Sequence, residues 1–457
     1  MKILSITTSN HATNFLKNPD SEKNKSKKHN YSNYAYGALG VCAVGAGLVL
    51  LHNKLKISKN NLKKTLSESD KNFLESIKTS LKDSGIDVKL DDLNSIVAPD
   101  EFKNLIKKFQ PQHFRVGMQV SEAKAKGISL EEFYKNAING DFRVSLHTHS
   151  NFSDGKATVE EFLESARKYA DKVAKLNKND GLPPFTIALT DHDGIKGCQE
   201  IIKIIAKNPE KYKNLKFVSG CEFSVMNGSR HHDITGLALN PFDQNLNKVL
   251  DDLANTRKNT MIEFLEKQPE YNGKKISYQD VAEFEKQKYA KQGKSGKRCI
   301  ENCSGLVSVR HAIKFYYEMT GQSINHEVMN QLGNKDILSI ETVMNAIKNN
   351  GGQASLTHPT KSFWKYIGDD FLLNLKRLGI DGMEVNHQYT PSKITELGKH
   401  NNDISNADNL FEEITKQYKN FAEKNNLFLS GGTDSHEKQI FSREPKITEE
   451  LMKKIYN

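Results

Sequence analysis

Two regions of the chain alternate short apolar runs with longer amphipathic stretches. In the first, FRVSLHTH precedes a helical pattern over 158–174, and FTIALTDHD precedes another over 194–207. FVSGCEFSV and ITGLAL follow, and QASLTHP, GMEVNH and LFLSGGTDSH continue the series after residue 350. Strands alternating with helices predict an α/β fold with a largely parallel sheet or barrel. Between Asn240 and Gly351 the rhythm breaks. Apolar spacing there predicts helices over 246–268, 276–290, 308–320, 326–333 and 338–350, an inserted helical cap at 241–350. Upstream, Phe73, Ile77 and Leu81 recur at four-residue spacing beside Leu74, and Ser129, Glu131 and Glu132 precede the apolar positions Phe133 and Ala137. These predict a helical extension over 52–140, a spacer or lid without chemistry of its own.

The first 51 residues differ from the rest. Residues 1–34 are polar and basic, and Ala35 to Leu51 is an uncharged apolar run of 17 residues with Lys-rich flanks. Such a run, at the lower limit for crossing a bilayer, predicts a single membrane anchor rather than a packed Gly/Ala-rich helix. The formal net charge is +10, but residues 1–64 hold 11 Lys/Arg against 2 Asp/Glu and so carry +9 of it. A body so close to neutral gives no case for a long nucleic-acid track. Cys42, Cys198, Cys221, Cys299 and Cys303 are too sparse for a disulfide framework and read as reduced thiols; the Lys-rich flanks leave the orientation of the anchor open, and a reducing compartment predicts a cytoplasmic catalytic part. The stretch KQGKSGKR over 291–298 lacks the spacing and the preceding strand of a phosphate-binding Gly loop, and reads as a solvated loop.

Chemistry gathers at the ends of the strands. HTHSNFSDG supplies His147 and His149, two apart and therefore on one face, with Asp154 across a tight turn. Asp191, His192 and Asp193 follow TIAL, Glu222 follows FVSG, His358 follows QASLT, and Asp434 and His436 follow LFLSGG. Strand-end histidines are individually unremarkable. Five ionisable strand ends on one rim would be costly unless metal ions or mutual pairing compensated them. Imidazoles with carboxylates suit Zn, Mn or Fe better than Ca.

HTHSNFSDG, TDHD, GCEFS, THP and GTDSH, taken in order from about Arg143 to His436, resemble the polymerase and histidinol phosphatase (PHP) family of phosphoesterases. That resemblance implies a distorted (β/α)7 barrel, split here into 141–240 and 351–457 by the cap, with two or three divalent metal ions. It implies His147, His149, Asp154, His192, Glu222, His358, Asp434 and His436 as ligands, with Glu222 bridging. A further His is usual before the strand that here reads ITGLAL. Either Asp233 takes its place, or the strand shifts by one residue and His232 does.

The ligand types imply hydrolysis by an activated water attacking phosphorus in line. His192 or His358 would serve as acid, and Asp191 and Asp193 would orient His192. The cap resembles that of a PHP subgroup acting on nucleotide phosphates, including bisphosphates, and short RNA ends. The expected partner is thus a small phosphorylated nucleotide, with Arg310 as a phosphate clamp and His387 and Tyr389 lining the pocket. A nuclease of longer strands, a histidinol phosphate phosphatase and a non-catalytic module of a membrane assembly are the alternatives.

Overall fold

The chain divides into two units, Met1–Thr65 and Leu66–Asn457. The computed structural model describes residues 66–114, 141–176, 180–227, 230–271, 273–291, 309–320, 337–387 and 391–436, all in the second unit. Eight strands form the sheet: β1 (Val144–Ser145), β2 (Phe185–Leu189), β3 (Leu215–Asn227), β4 (Arg230–Leu237), β5 (Leu338–Ser339), β6 (Gln353–Leu356), β7 (Gly382–Glu384) and β8 (Phe428–Ser430). Seven follow the order β1-β2-β3-β4-β6-β7-β8, and β5 pairs with β3 off that path. Pairing is parallel except at β4, which runs antiparallel to both β3 and β6.

The path closes on itself. Leu146 N–H donates to Gly431 O, Asp434 N–H to His147 O and His149 N–H to Ser435 O, each at 2.9 Å. These bonds stitch the chain after β8 to the chain after β1, giving a seven-stranded barrel as the α/β reading expected. The approach is close: a Cβ on Gly432 would meet His147 N at 2.5 Å, so only glycine fits there.

β2 is buried at all five positions, as parallel strands covered on both faces are. Phe185, Ile187 and Leu189 join the main core beneath the helices, while Ala188 joins a second core with Val144, Leu146, Val218 and Leu237. Helix Val159–Ala174 starts at Thr158, whose hydroxyl accepts from Glu161 N–H while the Glu161 carboxylate accepts from Thr158 N–H.

The described part of the N-terminal extension, residues 66–114, packs into the cores of the barrel. Phe73, Leu74, Ile77 and Leu81 of helix Glu68–Asp83 enter the main core. Phe102, Leu105 and Ile106 of helix Pro99–Ile106, with Phe109 and Phe114, fill the second core beside Val144 and Val218. The segment Ser95–Val97 also bonds to β3 through Phe217. The extension thus seals the barrel at the end where its strands begin.

In the insertion, helices Gln244–Glu266, Tyr278–Lys291 and Val309–Thr320 share a small core of Met261, Phe264, Leu265, Val281, Ala312 and Phe315. Helix Ile340–Asn349, expected in the cap, instead buries Ile340, Val343, Met344 and Ile347 in the main core, and β5 before it pairs with β3.

The membrane assignment is corrected. Among the described residues no helix is long and apolar enough to cross a membrane. The longest of them, Gln244–Glu266, carries Lys248, Asp251, Asp252, Arg257, Lys258 and Glu263. Residues 35–51, which prompted the assignment, lie outside the described residues. At ~1.5 Å per residue a helix of that length reaches only ~25 Å, short of a ~30 Å hydrocarbon layer.

Phe102 is only 2% exposed in the core that seals the barrel. We predict that Phe102→Ala lowers unfolding free energy by ~3–5 kcal/mol, measured by urea denaturation. A loss below ~1 kcal/mol would show that the extension is dispensable to the barrel.

Candidate metal centre

The strand ends bring their side chains onto one rim. His147 and His149 follow β1, His192 follows β2, and Glu222 lies within β3. His358 follows β6, and Asp434 and His436 follow β8. Because β4 runs antiparallel, its early residues reach the same rim. The register pairs Asp233 with Ser224 and His232 with Val225. That decides between the two alternatives left by the sequence. Asp233 faces the site, whereas His232 turns away and packs on Phe363 and Phe371, with ring centroids 4.6 and 5.3 Å distant.

Glu222 sits at the centre. Its Oε2 lies 3.0 Å from His147 Nε2, 3.2 Å from His149 Nε2 and 3.2 Å from His192 Nδ1, and its Oε1 lies 3.3 Å from His358 Nε2. Asp434 Oδ1 is 3.2 Å from His149 Nε2 and 3.4 Å from His436 Nδ1. Asp154 Oδ2 is 3.1 Å from His436 Nε2, and its Oδ1 is 3.8 Å from His192 Nε2. Five overlapping sets of possible ligand atoms result among the described residues: His149, Asp154, His192 and His436; His147, His149 and Glu222; Glu222, Asp233 and His358; His147, His358 and Asp434; and His147, Glu384 and His387. Within each set the atoms lie within 4.8 Å of one another.

The donor set fits divalent ions. Buried oxygens Glu222 Oε1 and Asp154 Oδ1 accept no hydrogen bond, a costly state that a cation would relieve. His358 and Asp434 adopt left-handed backbone, with φ of 26° and 47°. Strain of this kind in non-glycine residues persists only where the surroundings enforce it.

Supporting groups sit behind the ligands. Glu384, absent from the expected set, is buried and spans two histidines: Oε2 is 3.0 Å from His147 Nδ1 and Oε1 is 3.1 Å from His387 Nδ1. It also accepts from His358 N–H at 3.0 Å. Its signal in the sequence was a lone carboxylate inside the apolar run GMEV. Lys361, one turn after His358, places Nζ 3.2 Å from Asp434 Oδ2 and 3.5 Å from His358 Nε2. Asp193 accepts from Ser224 N–H and from Arg257 Nη2, both at 2.9 Å, so a buried arginine of the inserted helix Gln244–Glu266 reaches the rim.

Several expected roles change. Asp191 does not touch His192. It accepts from Ser150 N–H, Ser150 Oγ–H and Ser153 Oγ–H at 2.6–2.7 Å and so fixes the loop between His149 and Asp154. His387 has a fully buried side chain held on Glu384 and is not among the described residues lining the cleft of the site. Arg310 is the second residue of helix Val309–Thr320, but its side chain and Tyr389 lie outside the described residues.

Protonation follows the charges. Burial alone would lower the His147 pKa, but Glu222 and Glu384 on either side hold it up at about 10. Burial and the Lys361 ammonium push His358 well below its ordinary value, so near pH 7 it is neutral and suited to ligation rather than to the acid role expected of it. Burial would raise Glu222, yet His147 and His192 hold it well below the carboxylate range. Asp233 is pushed up to about 7 by burial and then by the Glu222 charge.

No protein-family model matches the chain, and no curated protein does. Among solved structures it is similar to a candidate metal-dependent phosphoesterase from Bifidobacterium adolescentis, at 18% identity and a TM-score of 0.38, over 68% of this chain and 94% of that one. It is also similar to an amidohydrolase from Chromobacterium violaceum with bound sulfate and no metal, at 19% identity and a TM-score of 0.39, over 68% and 96%. A third is a two-domain protein from Bacteroides vulgatus containing a predicted PHP-like metal-dependent phosphoesterase, at 14% identity and a TM-score of 0.25, over 65% and 52%. At these TM-scores the likenesses carry no weight beyond themselves, and the site stands on its own geometry.

Two predictions follow from the centre. A ligating His147 must lose the proton that its pKa of about 10 keeps on it at neutral pH. Metal binding should therefore release at least one proton and tighten as pH rises toward 10. Titration calorimetry in buffers of different ionisation enthalpy checks this, and a heat independent of buffer would contradict it. Glu384→Gln should weaken metal affinity ~10–100-fold while leaving the far-ultraviolet circular dichroism unchanged. An unaltered affinity would reduce Glu384 to a packing role.

Proposed function

We propose that this chain is a metal-dependent phosphoesterase of the PHP type that hydrolyses small nucleotide phosphates. The observation that carries the reading is the convergence of Asp154, His192, Glu222, Asp233, His358, Asp434 and His436 on one cleft of about 390 Å³. A space of that size suits a small molecule. Divalent ions bound there would lower the pKa of a water molecule and offset the charge of phosphoryl oxygens.

The chain's own residues divide the remaining work. His147, His149 and Glu222 would hold one ion, and Asp154, His192 and His436 another, on the groupings described. Asp191 orients the Ser150–Ser153 loop that carries Asp154. His192, with a side chain 24% exposed in the cleft, is the imidazole best placed to pass a proton to a leaving oxygen. Lys361 lines the same cleft and adds positive charge facing an anionic ester. The contact from Arg257 to Asp193, one residue past His192, ties the insertion to the rim.

The test is phosphate release by the full-length protein with Mn²⁺, across nucleoside mono- and bisphosphates, histidinol phosphate and RNAs of increasing length. We predict that nucleotides are hydrolysed in preference to long RNA. His192→Ala should lower kcat by roughly a hundredfold to ten-thousandfold without loss of fold. Preference for long strands would instead favour a nuclease, and no hydrolysis of any ester would reject the phosphoesterase reading.

A further inference from the structure

The third donor group is contested by a residue of the chain itself, and the inference drawn from this rests on the metal-centre reading above. Glu222, Asp233 and His358 lie close enough to hold an ion, and Glu222 Oε1 is left without a hydrogen bond. Lys361 reaches into the same place. Its ammonium donates toward His358 Nε2 at 3.5 Å and toward Asp434 Oδ2 at 3.2 Å. His358 Nδ1 lies 3.1 Å from Ser362 Oγ, so the ring can donate there through Nδ1–H and keep Nε2 as its lone acceptor. One lone pair cannot serve an ammonium and a metal ion together. A second full positive charge at this spot would also face the first across a few ångströms in a partly buried setting, where screening is reduced.

We propose that Lys361 acts as a built-in cation at the third position, so that the centre retains two metal ions tightly and excludes a third. Lys361 follows His358 by one helical turn, in helix Pro359–Phe363, which fixes its stem beside the ligand. Its side chain is 25% exposed, so the ammonium sits at the mouth of the cleft rather than beneath it. In this position Lys361 supplies the charge that a third ion would have brought and also sets how many ions the site retains.

The experiment counts metal rather than turnover. Full-length protein is stripped with chelator, reloaded with excess Mn²⁺, desalted and measured for Mn per chain by inductively coupled plasma mass spectrometry. Wild type should retain about two ions, Lys361→Met about three, and Lys361→Arg, which keeps the charge, about two. Near-ultraviolet circular dichroism confirms that each variant is folded. Three ions in wild type, or two in a folded Lys361→Met, would overturn the proposal while leaving the metal centre intact. Wild-type retention below two would count against the metal centre itself, and the proposal would fall with it.

Discussion

Everything at the rim depends on one buried carboxylate. Glu222 is about 1% exposed and has four imidazoles within 3.3 Å. A carboxylate so placed is tolerable only if positive charge meets it. Without metal, His147 meets it by keeping a proton; divalent ions held there would meet it instead. The imidazoles arrive from three separate backbone segments, after β1, β2 and β6, so the strands must hold their mutual register to within a fraction of a residue. The hydrogen bonds that close β1 on β8, the antiparallel turn of β4 and the glycine at 432 all serve that demand.

Much of this was legible because chemistry and periodicity coincide. A strand followed by His, Asp or Glu can be read one motif at a time, and His147, His149, Asp154, His192, Glu222, His358, Asp434 and His436 all reach the rim. What could not be read were contacts made across the sheet. Asp191 looked like a partner for His192 because they are adjacent. Alternation along the chain sends its carboxylate instead to Ser150 and Ser153, some forty residues earlier. Glu384 was hidden because a single acid in GMEV announces no partner; its partners lie after β1 and after β7. Arg257 was invisible for the same reason, as one charge among many on a long amphipathic helix.

The extension shows a different limit. Phe73, Ile77 and Leu81 announced a helix with one apolar face, and that face is buried. Periodicity says that a face must be covered but not by what, so the extension could be taken for a detached spacer. Its second helix instead supplies Phe102, Leu105 and Ile106 to the interior of the barrel. The insertion divides similarly. Helices around Met261, Phe264 and Phe315 keep a core of their own, while Ile340–Asn349, equally helical in pattern, belongs to the barrel.

The closure of β1 on β8 also sets an order of events during synthesis. Thr148 pairs with Ser435, so the first strand must wait for nearly three hundred further residues before its last neighbour leaves the ribosome. Contacts this distant in sequence are slow to form, because the loop between them must first be closed. The ligands Asp434 and His436 emerge with that final neighbour. A nascent chain therefore exposes His147 and His149 long before it can surround a cation with them. Any metal captured early would be held by an incomplete set of donors and would exchange readily until the barrel shuts.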